Sequence, residues 1–584
     1  MERRVFIAIF LAAVVMYGWQ ALFVPPVPPA TQSQQKPGAA PAGAATTPQA
    51  PAAAAPTSPG SLSVPPPDAP AALTTDAAER EIVVETATVQ AVLTNRGGRL
   101  LHWRLKGYHD AQGNPVDLVP SGIPDAEPAP FSLQADDPQL TQRLNTAVYR
   151  TTGDVDGRVD ATAGAATVTF EFQDASGLHA KKEFRFEPQN YVVTFSATAS
   201  NGTQPVNVAV AWGPGLGDIG STSGGGSFFT GNYVQPPQAI YHLNSDVERL
   251  PPDDLATQPT HEGQFRFAGV DDHYFMVASV DIGQARVEYR TLALPGPNDT
   301  QRLLVAHTIR PSQSPQNLRV FVGPKQFDIL RSVDAELVRA IDFGIFDWMV
   351  VPLLSGLKWL YGYVGNYGWS IIVLTILLNI ALFYPRHKSV VAMRKMQAIQ
   401  PEMKAIQDRY ANLKATDPAK QKMNTEIMNL YRERGVNPAS GCVPMLFTMP
   451  VLLAFYSLLS MSIELRGAPF VGWIRDLSAA DPFFVLPALM GISMFWQQRI
   501  TPSAADPTQQ RIMMIMPVMF TAMMAFSPSG VVLYWFVSNM WAIGQQYFTN
   551  WLIGPPAVAT VRAPAERRLK NAGGGRSAGA ERRS

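Results

Sequence analysis

Hydrophobic and polar positions follow three different rhythms along this chain. From about 76 to 330, apolar and polar residues alternate in short runs. Thr167-Val168-Thr169-Phe170-Glu171-Phe172 and Tyr191-Val192-Val193-Thr194-Phe195-Ser196 are examples, and Gly, Pro, Asn and Asp separate the runs. A period of two bounded by turn residues predicts strands, and a long series of them predicts an antiparallel β-sandwich. From 333 to 362 the period lengthens. Ala335, Leu337, Ile341, Ile345, Trp348, Met349, Leu353, Leu357 and Leu360 recur at helical spacing, with Asp342, Asp347 and Lys358 between them. This predicts an amphipathic helix, interrupted near Pro352, on a membrane surface. The third rhythm is none at all. Continuous apolar runs cover residues 1–24 beyond the opening charges, then about 367–384, 441–463, 482–498, 511–527 and 530–553.

Six such runs predict six membrane spans. Several reach only about sixteen residues against the ~20 that cross a full bilayer, and short spans thin the membrane around them. Trp359, Trp369, Trp473, Trp496 and Trp541 lie near run ends, where indole rings favour the interface. The first run follows Met1-Glu2-Arg3-Arg4 and leads directly into Val24-Pro25-Pro26-Val27-Pro28-Pro29, with no small-residue cleavage site close by. Residues 1–24 therefore read as an uncleaved anchor. Residues 25–75, mostly Pro, Ala, Thr, Ser and Gln, read as an extended tether.

Charge sets the orientation. Residues 385–440 carry eleven Lys/Arg against five Asp/Glu, and 555–584 carry seven against two. Residues 69–368 carry 22 basic and 33 acidic side chains, and 464–481 carry two and three. Positive loops stay inside. Both termini and 385–440 are thus expected in the cytoplasm, with the β-region outside. The net charge of the 584 residues is only +1, which gives no general pull toward nucleic acid. The one cysteine, Cys442, excludes an intrachain disulfide and a cysteine-based zinc site.

Residues 387–435 read as a helical hairpin. Met393, Met396, Met403, Ile406 and Tyr410 mark one face of a basic first helix. Asp417 and Pro418 open a second helix, whose inward residues are Met423, Ile427, Leu430 and Tyr431. Met393, Met396, Met403 and Tyr410 are candidate contacts, since a methionine stripe makes an adaptable surface; the bland alternative is the hairpin's own seam. In the β-region no catalytic set converges. Asp271-Asp272-His273 reads as a solvated turn rather than a metal site, and Gly224-Gly225-Gly226 as a plain loop.

The C-terminal third carries an ordered set of motifs. They include Val436-Asn437-Pro438, Gly441-Cys442-Val443-Pro444-Met445-Leu446, Met449-Pro450, Glu464-Leu465-Arg466-Gly467-Ala468-Pro469-Phe470 and Trp473-Ile474-Arg475-Asp476-Leu477-Ser478. Further on come Leu489-Met490-Gly491, Met516-Pro517, Pro528-Ser529-Gly530, Leu533-Tyr534-Trp535 and Val537-Ser538-Asn539. Residues 369–552 thereby resemble the YidC/Oxa/Alb family of membrane-protein insertases, and the anchor, tether and outer β-domain resemble its Gram-negative form. The resemblance implies a membrane protein with an N-terminal anchor (1–24), a linker (25–75), a periplasmic all-β supersandwich (76–330), an interfacial helix (333–362), a core of five transmembrane helices (367–553) with a cytoplasmic hairpin, and a basic tail (554–584).

It implies an inner-membrane insertase and chaperone, not an enzyme, that uses no cofactor or metal and takes no small-molecule substrate. Its expected partners are nascent membrane proteins, the Sec translocon, the lipid bilayer and the ribosome. A hydrophilic groove open to cytoplasm and lipid would admit a client's polar segment, sparing it the several kcal/mol per unsatisfied group that bare hydrocarbon imposes. Asn379, Thr375, Trp535, Tyr534, Gln497 and Ser538 are the expected groove residues. Asn379 falls where the family usually has an Arg or Lys, and Pro385 falls one residue late, so the groove cation is expected to be missing; Arg386, near the cytoplasmic mouth, reads as a snorkelling flank residue, with partial substitution for that cation as the lesser alternative. A secondary transporter would need inverted repeats, and an envelope enzyme a polar pocket; neither is legible here.

Overall fold

The structure is a computed structural model. It describes residues 72–110, 112–124, 127–216, 235–295, 301–312, 317–410, 419–436, 443–501 and 507–554. The expected anchor at 1–24, nearly all of the linker, the tail after Gly554, Cys442 and the Gly224–Gly226 run lie outside these residues.

The β-region contains two sheets. The larger one runs in the order Ala72–Thr74, Ala166–Asp174, Leu178–Phe186, Val192–Asn201, Leu318–Pro324, Phe275–Pro295, Thr260–Asp271, Gln238–Leu243, Asp246–Leu250, with shorter strands beside this path. The smaller one runs Pro115–Asp117, Arg99–His109, Val89–Thr94, Glu81–Glu85, Arg158–Asp160. Pairing is antiparallel as expected, except that Glu81–Glu85 and Arg158–Asp160 run parallel. The long stretch of chain between those two strands supplies the crossover that a parallel pair requires.

Alternation sorts the side chains as the pattern predicts. Val168, Phe170 and Phe172 turn inward on one strand; Leu178, Ala180, Phe184 and Phe186 do so on its neighbour. Lys182 occupies the same inward row and is fully buried. Its Nζ donates to the carbonyl oxygens of Gly97 (2.6 Å), Gly98 (3.2 Å) and Phe131 (2.8 Å). All three of those residues have left-handed backbones, so one ammonium holds two tight turns against the larger sheet. Trp103 joins the sheets a second way, donating from Nε1 to the Val322 carbonyl at 2.9 Å.

The expected helix over 333–362 is shorter. Two 3₁₀ turns, Glu336–Ala340 and Gly344–Phe346, precede α1, Asp347–Val364. Gly344 at φ 71° separates them from any continuous helix. Pro352 lies inside α1 without ending it. One face of α1 (Val350, Leu353, Leu354, Leu357, Leu360) is buried against the other helices, while Trp348, Trp359 and Tyr363 are exposed.

α2, Tyr367–Ala381, is capped by Asn366, whose side chain accepts from Trp369 N at 3.2 Å. It meets α3, Phe383–Ala398, at a bend of 58°. Pro385 explains the bend: its ring crowds the carbonyl of Ala381, and it has no N–H to offer there. α4, Gln400–Arg409, and α5, Ala419–Glu433, form the hairpin arms with α3. α6, Val443–Met461, α7, Val485–Ile500, α8, Pro507–Met524, and α9, Ser529–Ile553, complete the set. These five, α2 and α6 to α9, coincide with the five predicted apolar runs.

Among the described residues no single helix is long and apolar enough to cross a membrane by itself; α2 with α3 would be, as a bent pair. At ~1.5 Å per residue α2 is about 22 Å long, and polar residues interrupt the apolar stretch of α9.

Candidate functional site

Three helices bring polar side chains together inside the helical region. On α2, Thr375 is buried and returns its hydroxyl to the Ile371 carbonyl at 2.6 Å. One turn later, Asn379 is 3% exposed and donates from Nδ2 to the Thr375 carbonyl at 2.8 Å. Its Oδ1 accepts from the guanidinium of Arg386 on α3. α3 bends by 58° from α2, and the side chain seven positions later reaches this oxygen across the bend. Tyr534 of α9 is an ionisable neighbour of Arg386, and Ser538 lies beside it one turn along. Its ring stacks on Phe455 of α6 with centroids 4.3 Å apart. Asn379 and Tyr534 therefore both neighbour Arg386, with Thr375 one turn from Asn379 and Ser538 one turn from Tyr534. Among the described residues no carboxylate forms an ion pair with Arg386.

Each polar atom of Asn379 is engaged once, Nδ2 by the Thr375 carbonyl and Oδ1 by Arg386, which leaves one N–H and one lone pair of the amide. A cation from the next helix thus lies beside the asparagine.

α9 holds the base of α3 in place. Gln545 donates to the Phe383 carbonyl at 3.1 Å, and Thr549 lies 3.2 Å from Nδ1 of His387. Arg394 donates to the Gly554 carbonyl at 2.7 Å and also bonds Asn550. It satisfies the carbonyl of the residue that caps α9, at a helix C-terminus where a cation is favoured.

Trp535 and Gln497 do not join this cluster. Trp535 turns toward α8, its ring 4.5 Å from Phe520. Gln497 is half-buried on α7. Its neighbour Gln498 donates to the Met513 carbonyl of α8 at 2.5 Å. Pro517, four residues after Met513, has no N–H for that carbonyl, so Gln498 replaces the lost helical bond. Asn539 donates to Ser493 Oγ at 3.2 Å, another helix–helix bond.

In the hairpin, Met396 is buried with Ile399 and Val436, and Met393 packs against them. Met403 accepts from the Tyr431 hydroxyl at 3.1 Å, and Tyr410 donates to Glu426 at 2.9 Å. These four residues build the hairpin's own seam, closed by an ion pair between Arg434 and the buried Glu402.

Asp271-Asp272-His273 is not a solvated turn. All three are buried: Asp271 pairs with Lys325 at 2.8 Å, and His273 reaches the helical region. Sequence reasoning could not find this contact, because its partner, the Ser460 carbonyl, is backbone.

Two β-sheets are followed by five apolar helices, and Arg386 of α3 lies against α2 beside them. Residues 359–554 match the family described as 60Kd inner membrane protein, and residues 81–355 match the YidC periplasmic domain. The membrane protein insertase YidC of Geobacter metallireducens is 35% identical over 94% of this chain and 98% of its own length. That of Geotalea daltonii is 34% identical over 94% and 99%. A crystal structure of an active YidC insertase, 18% identical, covers 82% of this chain and 94% of its own, with a TM-score of 0.34. The chain belongs to the YidC family of membrane protein insertases.

Proposed function

We propose that this chain inserts and helps fold newly made integral membrane proteins in the inner membrane, and that the polar cluster on α2, α3 and α9 receives a client's hydrophilic segment. The observation that carries the reading is the hydrogen bond from Arg386 to Asn379. An ionisable residue within apolar helices is costly, by ~2.5–3.5 kcal/mol at a span centre. Arg386 has one amide oxygen as its side-chain partner, which leaves most of its five donors for backbone carbonyls or carboxylates of a passing chain.

The topology that fits this role has α2, α6, α7, α8 and α9 as short spans and residues 1–24 as a further span. The hairpin, the residues after Gly554 and both termini lie in the cytoplasm; the β-region lies outside. Exposed Trp348, Trp359 and Trp473 suit the outer interface and Trp551 the inner one. The client's polar segment enters beside Arg386, and its apolar segment leaves between α2 and α6, driven by partition into lipid. The protein performs no covalent chemistry. The Sec translocon and the ribosome are proposed partners, the hairpin and tail offering their basic surfaces.

The test is photocrosslinking from position 534, with 535 as a control facing α8, to a stalled nascent membrane protein. Adducts at 534 stronger than at 535 are expected. Equal adducts would move the client path to the lipid-facing side, and none at either site would remove the insertase reading.

A further inference from the structure

The β-region meets the helices at the outer end of α6, through residues that the polar cluster does not use. Residues 462–484 connect α6 to α7, and within them Ile463 is 2% exposed. Its packing partners are those of the β-region core, in the same cluster as Leu330 and Leu337, not those of the helical core. Three residues earlier, the Ser460 carbonyl is among the last four of α6, which have no partner within their own helix. Nε2 of His273 caps it at 2.9 Å. His273 lies in the turn between the strands Thr260–Asp271 and Phe275–Pro295, on the far side of the domain boundary. Beside it the Arg466 guanidinium lies over the rings of Tyr274 and Phe275, 5.3 and 4.9 Å from their centroids.

We propose that His273 and Ile463 are positioning residues for insertion: they fix the outer end of α6 to the β-region and so hold the outer side of the client groove closed. This rests on the groove reading above. α6 carries Phe455, on which Tyr534 stacks, so a displacement of its outer end is felt at the cluster around Arg386.

The joint has a chemical signature of its own. Nε2 donates to Ser460, so Nδ1 is the acceptor, and it faces the Gln235 backbone N–H at 3.4 Å. A proton on Nδ1 would set two donors against each other. The charged groups around the ring are Asp271 and Asp272 from its own turn, Lys325 after the strand Leu318–Pro324, and Arg466 from the outer loop. Asp476 stands behind Tyr274. Burial first, then Lys325 and Arg466, push the imidazole down to about 4. A basic group whose pKa is lowered by docking favours the docked state when neutral. The joint is therefore at full strength above the ordinary histidine value of ~6.5. Its docked-to-undocked ratio falls as pH drops from there toward about 4.

The test is hydrogen exchange of the 460–470 segment in the full chain in lipid nanodiscs, corrected for intrinsic rate, at pH 7 and pH 5. Wild type should exchange at least tenfold faster at pH 5. H273Q keeps a donor near the Nε2 position but cannot be protonated, and should stay protected at both values. H273F and I463A should exchange fast at both. Client insertion should fall in H273F and I463A and be restored in H273Q. Exchange in H273F equal to wild type, or an acid response that persists in H273Q, overturns the joint. Altered exchange with unaltered insertion overturns its role in positioning. The groove reading fails separately, through the crosslinks at position 534.

Discussion

Arg386 and Asn379 are seven residues apart, yet the guanidinium of one bonds the amide oxygen of the other. A straight helix would set them two turns, about 10 Å, apart along its axis. The 58° bend between α2 and α3 shortens that separation, and the long guanidinium side chain spans the rest, beside Tyr534. An asparagine at position 379 thus has a cation next to it without carrying one itself.

R386Q should lower insertion most for clients whose transferred segment is acidic. Hydrogen bonds to charged groups contribute about 1.5–3 kcal/mol, which corresponds to roughly ten- to a hundredfold in rate. R386K should retain part of the activity, because it keeps the charge but not the planar fork. N379R/R386Q, which moves the cation to α2, should recover acidic clients. Insertion into proteoliposomes of clients carrying zero, one or two acidic residues is the measurement, and equal losses for all three clients would refute a charge-specific role.

Q498L removes the donor that replaces the bond lost to Pro517. It should destabilise the α7–α8 pair by about 1–3 kcal/mol, the cost of an unsatisfied buried carbonyl. P517A restores a backbone N–H for Met513, so the leucine should cost much less in that background. A double-mutant cycle on thermal unfolding in detergent reads the coupling, and additive losses would contradict the exchange of partners.

Gly491 lies against α8, where an added Cβ would stand 2.2 Å from Thr521 Oγ1. G491A should cost about 1–3 kcal/mol through overpacking. G491A/T521A removes the obstructing oxygen and should regain most of that loss in the same unfolding assay.

K182M should lower the melting temperature of the β-region in the full chain by several degrees. The variant leaves three turn carbonyls without their ammonium, at a cost of a few kcal/mol, and a domain of this size shifts by ~2–4 °C per kcal/mol. Scanning calorimetry of the full chain measures it; an unchanged transition would mean that water replaces the ammonium.

His307 is fully buried between Trp212 and Tyr289, and burial pushes its imidazole down to about 3. The folded state keeps it neutral, while the unfolded chain takes up a proton near pH 6.5. Its contribution is therefore complete above ~6.5 and declines by about 1.4 kcal/mol per pH unit as pH falls toward 3. H307F should flatten that slope in denaturant titrations between pH 7 and 4; an unaltered slope would assign the acid sensitivity to other groups.

Much of this architecture is written locally. A period of two over 76–330 and continuous apolar runs after 366 specify which segments become strands and helices, because each depends on a residue's immediate neighbours and on which face is buried. The ordered C-terminal motifs placed the chain in its family by themselves. What the pattern missed depends on where segments meet. The helical period over 333–346 did not produce a helix because Gly344 takes a left-handed conformation and the apolar residues there pack in two short turns. Asp271-Asp272-His273 reads as a solvated turn in isolation, since charged triplets are usually exposed; it is buried because the outer end of α6 rests on it. Lys182 in an inward row looks like an error of alternation until three carbonyls from distant turns surround its ammonium. Arg386 reads as a flanking charge by sequence position, and only the packing of α3 against α2 shows that its guanidinium bonds Asn379. Local periodicity determines secondary structure through short-range burial and sterics, whereas the direction in which a long polar side chain points, and what it meets, is decided by packing between segments distant in the chain.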